Sequence, residues 1–197
     1  MAHIAVVFGS TDGQTAKIAR HIANELRSEH EAVTVIDTRI PQAPEVLAGV
    51  EAVVIAGSMR LTRFQHALVA FVRAHHEKLS LMPNALVAVS LFGTRQSGIG
   101  RWELQRSVER FIEDTGFLPS DVRPIAGALR YSHYGFSGRM AMAVVSKLAG
   151  GDLDTSRDCE YTDWKAVTEF AAHFAARALA ELHPHPVKLP VEPAIHV

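Results

Sequence analysis

At 197 residues the chain fits one domain of ordinary size, and 48% hydrophobic with 21% charged residues excludes both a disordered polymer and a disulfide-stapled mini-protein. Twenty Lys plus Arg against 21 Asp plus Glu leave a net charge of -1, so there is no global electrostatic reason to bind nucleic acid, and none is expected. Cys159 is the single cysteine, and no apolar run, including the richest from Met140 to Ala149, approaches the roughly 20 residues of a membrane-spanning helix. The N-terminal MAHIAVVFGS has neither a basic region nor a small-residue cleavage site, so a cytoplasmic location is expected.

Ile4 to Phe8 is a continuous apolar run ended by Gly9, the pattern of a strand buried on both faces. From Thr15 to Leu26 the apolar residues Ile18, Ile22 and Leu26 recur every fourth position, which predicts an amphipathic helix. Ala32 to Ile36 and Ala52 to Ala56, the latter ended by Gly57, read as strands two and three. Helical spacing returns over Gln65 to Leu79, Pro83 breaks it, and Ala85 to Leu91 reads as strand four. A helix over Glu103 to Asp114, a fifth strand over Val122 to Leu129 and a last helix from Asp163 to Leu182, with Thr162 as its N-cap, complete the series. Residues 1–182 form one domain in this reading, and 183–197, with four prolines, is an extended tail. Strands alternating with helices predict an α/β, doubly wound five-stranded parallel sheet of order 2-1-3-4-5.

In such a sheet ligands bind beyond the carboxyl ends of the strands, at the switch point between strands one and three. The first loop there is Gly9-Ser10-Thr11-Asp12-Gly13-Gln14-Thr15. The hydroxyls of Ser10, Thr11 and Thr15 can donate to phosphate oxygens, and Gly13 lets successive amides turn toward one point at a helix N-terminus. It is neither GxGxxG nor a nucleoside-triphosphate loop, since it lacks Gly-Lys-Ser/Thr. The residues alone also fit a polar turn in which Asp12 or Thr15 caps the helix.

The loop resembles the flavin mononucleotide (FMN) phosphate loop of flavodoxins. More narrowly, FGSTDGQT, VVIAGSMR, MPNALVAVSL, IAGALRY, GGDLDT and YTDW occur in the order found in the flavodoxin-like, menaquinone-dependent protoporphyrinogen IX dehydrogenase family, over about residues 4 to 175. The resemblance implies a flavodoxin-like fold and FMN with its phosphate on Ser10, Thr11, Asp12, Gly13, Gln14 and Thr15. Asp12 is then expected to present its backbone amide and not its carboxylate. The loops Ser58-Met59-Arg60-Leu61 and Ser90-Leu91-Phe92-Gly93-Thr94 match the two flanks of the flavin ring. The implied reaction is oxidation of protoporphyrinogen IX to protoporphyrin IX, a step of heme synthesis, with electrons passed to a membrane quinone. Arg60 and Arg130, and less closely Arg95, are candidates for the substrate propionates, because guanidinium pairs well with carboxylate. No catalytic base stands out.

Three features have two readings each. The loop Ser58 to Leu61 carries no Trp or Tyr, which leaves a flavin face open to an organic substrate, while Arg60 there is either an anion ligand or a solvated cation. Phe92 to Trp102 is long for a strand-to-helix connection, and it is poorer in basic residues and proline than the family's insertion; it reads as a lid with Trp102 as anchor, or as a solvent loop with Trp102 in the core. No Asp or Glu occurs between Asp121 and Asp152, whereas Arg123, Arg130, Arg139 and Lys147 do; residues 130–149 are either a peripheral membrane contact or a buried helix. His75-His76 and His183-Pro184-His185 lack companion ligands at metal spacing, so no metal is expected, and Cys159 has no activating neighbour. The competing functions are an electron-carrying flavodoxin, which a near-neutral surface disfavours, and an FMN quinone reductase with a nicotinamide donor, for which no sequence mark exists.

Overall fold

The computed structural model describes residues 2–28, 32–60, 62–90, 98–129 and 159–183. In chain order these form β1 (His3–Gly9), α1 (Gln14–Ser28), β2 (Ala32–Asp37), β3 (Ala52–Arg60), β4 (Arg63–Phe64), α2 (His66–Leu81), β5 (Asn84–Ser90), α3 (Gly98–Thr115), β6 (Val122–Ala126), β7 (Ala128–Leu129), β8 (Cys159–Glu160) and α4 (Trp164–Leu182). The long strands lie in the order β2-β1-β3-β5-β6, all parallel. With the two-residue β4 hung on β3, this is the predicted 2-1-3-4-5 arrangement.

The period-two alternation of the strands sorts their side chains into two cores. Ile4, Val6 and Phe8 of β1, Val54 and Ala56 of β3 and Val87 and Val89 of β5 meet Ile18, Ile22 and Leu26 of α1 and Val167, Phe170 and Phe174 of α4. The intervening Ala5, Val7, Val53, Ile55, Leu86 and Ala88 meet Leu68, Val72 and Leu79 of α2 and Phe111 of α3. Burial of each large aliphatic or aromatic side chain stabilises by about 1.5–3 kcal/mol, so the three central strands, closed on both faces, form the rigid part of the molecule. Pro124, which cannot donate to a ladder, lies in β6 at the end of the sheet.

Four local expectations are corrected. Strand three does not end at Gly57: β3 continues through Arg60 and turns back through Thr62 into β4, with Met59 opposite Phe64 and Arg60 opposite Arg63. Apolar patterning could not show this, because the added residues are polar or pair only with a two-residue strand. The helix expected from Glu103 begins at Gly98, despite about 1 kcal/mol per glycine against a helix interior. The fifth strand breaks at Gly127, whose N–H donates to the Ser90 carbonyl at 2.9 Å, and β7 then pairs antiparallel with β8. The N-cap of α4 is Asp163, whose carboxylate accepts from the Ala166 N–H at 3.1 Å, and not Thr162. The tail beyond residue 183 lies outside the described residues.

Asn84, fully buried at the start of β5, stitches the opposite end of the sheet. Its Nδ2 donates to the carbonyls of Leu79 and Met82 at 3.3 and 3.1 Å, and its Oδ1 accepts from the Ser120 N–H at 2.7 Å. Gly57 is where helix and strand come closest: a Cβ there would run into the Phe64 ring and lie 2.6 Å from Leu68 Cδ2. Gly57→Ala should therefore lower stability by about 1–3 kcal/mol, checked as a lowered denaturation midpoint.

Candidate active site

The carboxyl ends of β1 and β3 open onto a polar patch built from the loop after β1, the β3–β4 turn and the start of α2. Ser10, only 2% exposed, begins the first loop, and its Oγ accepts from the Gly13 N–H at 3.0 Å. Gly13 adopts φ 84°, a left-handed conformation that permits this tight turn immediately before α1. Gln14 and Thr15 are buried in the first helical turn, which contains no acidic residue to compete with a bound anion. The Gln14 side chain points away to Thr162, donating from Nε2 to Oγ1 at 2.8 Å, and the Thr162 hydroxyl donates to the Ala126 carbonyl at 2.8 Å. The start of α1 is thereby tied to β6 and to the approach to α4. Lys17 pairs with Glu160 at 3.3 Å on the same side. Burial acts against the Glu160 carboxylate, but hydrogen bonds from Gln14, Lys17 and Trp164 outweigh it and lower its pKa.

Asp12 and Arg60 join the first loop to the β3–β4 turn. Arg60 Nη2 donates to Asp12 Oδ2 at 3.2 Å, with the two side chains 58% and 31% exposed. An exposed ion pair of this kind stabilises the fold by less than about 1 kcal/mol, so its consequence is local charge: it neutralises the one carboxylate of the loop after β1. Thr62, in the turn that carries Arg60, has φ 59°, a left-handed conformation that costs a β-branched residue on the order of 1 kcal/mol. Gln65 bridges the two loops, donating from Nε2 to Ser58 Oγ and, at 3.4 Å, to Thr11 Oγ1.

The sequence-derived residues therefore separate into groups. Ser10, Thr11, Asp12, Gly13, Ser58 and Arg60 come together at one edge of the sheet, with the backbone of Gln14 and Thr15 beneath them. Met59 is 8% exposed and packs into the core beside Phe64, because it alternates with Ser58 and Arg60 along β3. Ser90 lies at the end of β5 with its carbonyl on Gly127. Leu61, Leu91, Phe92, Gly93, Thr94, Arg95 and Arg130 fall outside the described residues. Trp102 is 59% exposed, which removes the core reading for it. Next to it Glu103 is half-buried with one carboxylate oxygen enclosed and without a partner, and burial pushes its pKa up. Gln65 and Glu103 were not singled out by the sequence; one is a lone polar residue at the start of α2 and the other lies within α3, and no motif marks either.

The patch suits the phosphate end of a flavin nucleotide. The hydroxyls of Ser10, Thr11 and Ser58 each accept a protein hydrogen bond and give their proton to no described acceptor, so all three can donate to an anion. Comparison with known proteins agrees. The flavodoxin domain model matches residues 5–156. Over 176 residues the chain is 34% identical to protoporphyrinogen IX dehydrogenase (quinone) of Leishmania major, covering 89% of this chain and 75% of that one. The chain belongs to the protoporphyrinogen IX dehydrogenase (quinone) family. The Escherichia coli K12 member of the family is 31% identical over 170 residues, covering 86% of this chain and 93% of its own. A short-chain flavodoxin associated with a bacterial microcompartment superposes with TM-score 0.56 at 11% identity, covering 90% of this chain and 99% of that one, which places the fold. The protein is accordingly a flavodoxin-like, FMN-dependent oxidoreductase.

Removing Arg60 should leave Asp12 uncompensated beside the phosphate. Arg60→Ala is expected to weaken FMN binding about tenfold, and Asp12→Asn in that background to recover part of the loss, both read by flavin fluorescence titration. For Glu103 the sign follows from a pKa raised in the folded state. The folded protein holds the proton more tightly than the unfolded chain, so wild-type stability falls as pH rises from the ordinary value of 4.5 through the raised one. Glu103→Gln should thus stabilise modestly at pH 7, by under about 1 kcal/mol because the group is partly solvated, with the gain vanishing in acid. Paired denaturation curves at the two pH values check it.

Proposed function

We propose that this protein oxidises protoporphyrinogen IX to protoporphyrin IX and passes the electrons to a membrane quinone, as a step of heme synthesis. The observation that carries the reading is the identity of 31–34% to protoporphyrinogen IX dehydrogenases (quinone) over 86–89% of the chain, far beyond the phosphate loop alone. The described part of the β3–β4 turn supports it. With Met59 in the core, that turn presents Ser58 and Arg60 and no aromatic ring, and an uncovered cofactor face admits an organic substrate.

Bound FMN supplies a hydride acceptor at its ring N5 and a route for the electron pair to the quinone. The chain's own residues provide position and charge. The hydroxyls of Ser10, Thr11 and Ser58 and the start of α1 would hold the phosphate and so fix the cofactor at this edge of the sheet. Arg60 neutralises Asp12 and is more than half exposed at the edge of the patch, and it is the first proposed ligand of a propionate carboxylate. Arg130 is the second proposed propionate ligand and lies outside the described residues, as does the proposed membrane contact at 130–149. Among the described residues no helix is long and apolar enough to cross a membrane, and the reading assigns a peripheral place on the cytoplasmic face.

Anaerobic assay of FMN-loaded protein with protoporphyrinogen IX and a menaquinone analogue tests the proposal, with porphyrin fluorescence followed against an enzyme-free control. Quinone-dependent growth of fluorescence that disappears without FMN is expected. Tight FMN binding with no acceleration over the control would overturn the reading in favour of an electron carrier.

A further inference from the structure

Gln65 occupies the N-cap of α2 without capping it. Its backbone is extended at φ -60° and ψ 139°, its carbonyl accepts from the Val69 N–H at 3.0 Å, and its side chain makes no cap hydrogen bond. A residue at this position ordinarily turns its side-chain oxygen onto the first free N–H groups of its own helix. Gln65 instead reaches away from α2, and its Nε2 donates to two hydroxyls on two different loops, Ser58 Oγ at the end of β3 and Thr11 Oγ1 after β1. Its Oε1 is enclosed and without a partner, on the side of Gly9, where a Cβ would lie 3.0 Å from it.

The chemistry of a hydroxyl gives this bridge a consequence. Each hydroxyl carries one proton and two acceptor lone pairs, and the proton turns toward whichever acceptor is available. An amide NH2 placed between two hydroxyls occupies an acceptor site on each and repels both protons, which then point away from Gln65. The reversed amide would take both protons and present lone pairs to the site. Ser10, whose Oγ accepts from the Gly13 N–H, is set the same way by the backbone. No described group accepts a proton from Ser10, Thr11 or Ser58, and Arg60 has cancelled the one carboxylate in the loop.

We propose that Gln65 is a positioning residue that fixes the Thr11 and Ser58 hydroxyls as hydrogen-bond donors, and so makes the flavin site selective for a phosphorylated over an unphosphorylated flavin. It acts through those two hydroxyls and touches no ligand itself. The inference rests on FMN as cofactor and is independent of the porphyrinogen reading.

The test compares two ligands that share a ring and differ in the phosphate. FMN and riboflavin dissociation constants are measured by flavin fluorescence for the wild-type apoprotein and for Gln65→Met, which keeps length and removes both polar atoms. The expected result is a loss of about tenfold in FMN affinity with riboflavin affinity unchanged, the size of losing well-oriented donors to a charged acceptor. Gln65→Glu, equal in shape and able only to accept when ionised, should lose more of the FMN preference, again with riboflavin unchanged. It stands as the second variant if Gln65→Met does not fold. Inorganic phosphate gives an independent readout, since it should raise the thermal midpoint of the wild-type apoprotein more than that of either variant. An unchanged FMN-to-riboflavin ratio, or an equal loss of both ligands, would overturn the proposal. These measurements use no porphyrinogen, so failure of the substrate reading leaves their outcome intact.

Discussion

The burial of β1, β3 and β5 on both faces is the constraint from which the rest of the molecule follows. A strand closed above and below has no room for a side chain that needs water, so polar residues are driven to the strand ends. Parallel order then puts all the carboxyl ends on one edge, and the loops leaving β1 and β3 in opposite directions open the sheet there. The phosphate loop, the β3–β4 turn and the start of α2 meet because the sheet leaves them no other place. Asn84 shows the exception at the opposite edge, where a fully buried amide is accommodated only with partners on both its nitrogen and its oxygen.

At the functional edge stability and chemistry are carried by different residues. Gly57 and Phe64 hold β3 against α2 and leave no volume for even a methyl group, while Ser58 and Arg60, their neighbours in sequence, face the solvent side of the same strand end. Met59 belongs with the first pair. The alternation of a single strand thus separates packing from ligand contact within four consecutive residues. The turn that follows accepts a left-handed Thr62, a local strain compatible with a rigid strand and a helix start on either side of it.

How much of this was legible in the chain depends on range. Ile4 to Phe8, Ala52 to Ala56 and the four-residue spacing of Ile18, Ile22 and Leu26 show the strands, the first helix and the sheet order, because two-sided burial writes itself as unbroken apolar runs. The polar loop after β1, proposed to hold the phosphate, stands out in the chain because its residues are contiguous. The extension of β3 to Arg60, the β7–β8 pair and the Asp163 cap were not legible, since each is decided by one or two hydrogen bonds to a partner distant in sequence. Gln65 and Glu103 were invisible for a related reason. A single glutamine has no spacing to read, and its meaning comes from Thr11 lying 54 positions earlier in the chain. Met59 reads as part of one loop with Ser58 and Arg60 in the sequence, whereas the strand continues there and Met59 packs beside Phe64.

The small β7–β8 pair also ties distant parts of the chain together. Leu129 and Cys159 are register partners, so this short pair acts as a clasp between them. The clasp itself is anchored beside the cofactor edge, where the Tyr161 N–H donates to the Gly127 carbonyl at 3.0 Å and Thr162 holds Gln14. The pair thus couples the approach to α4 with the end of β6 and the start of α1, three places far apart in the chain that share one short run of hydrogen bonds.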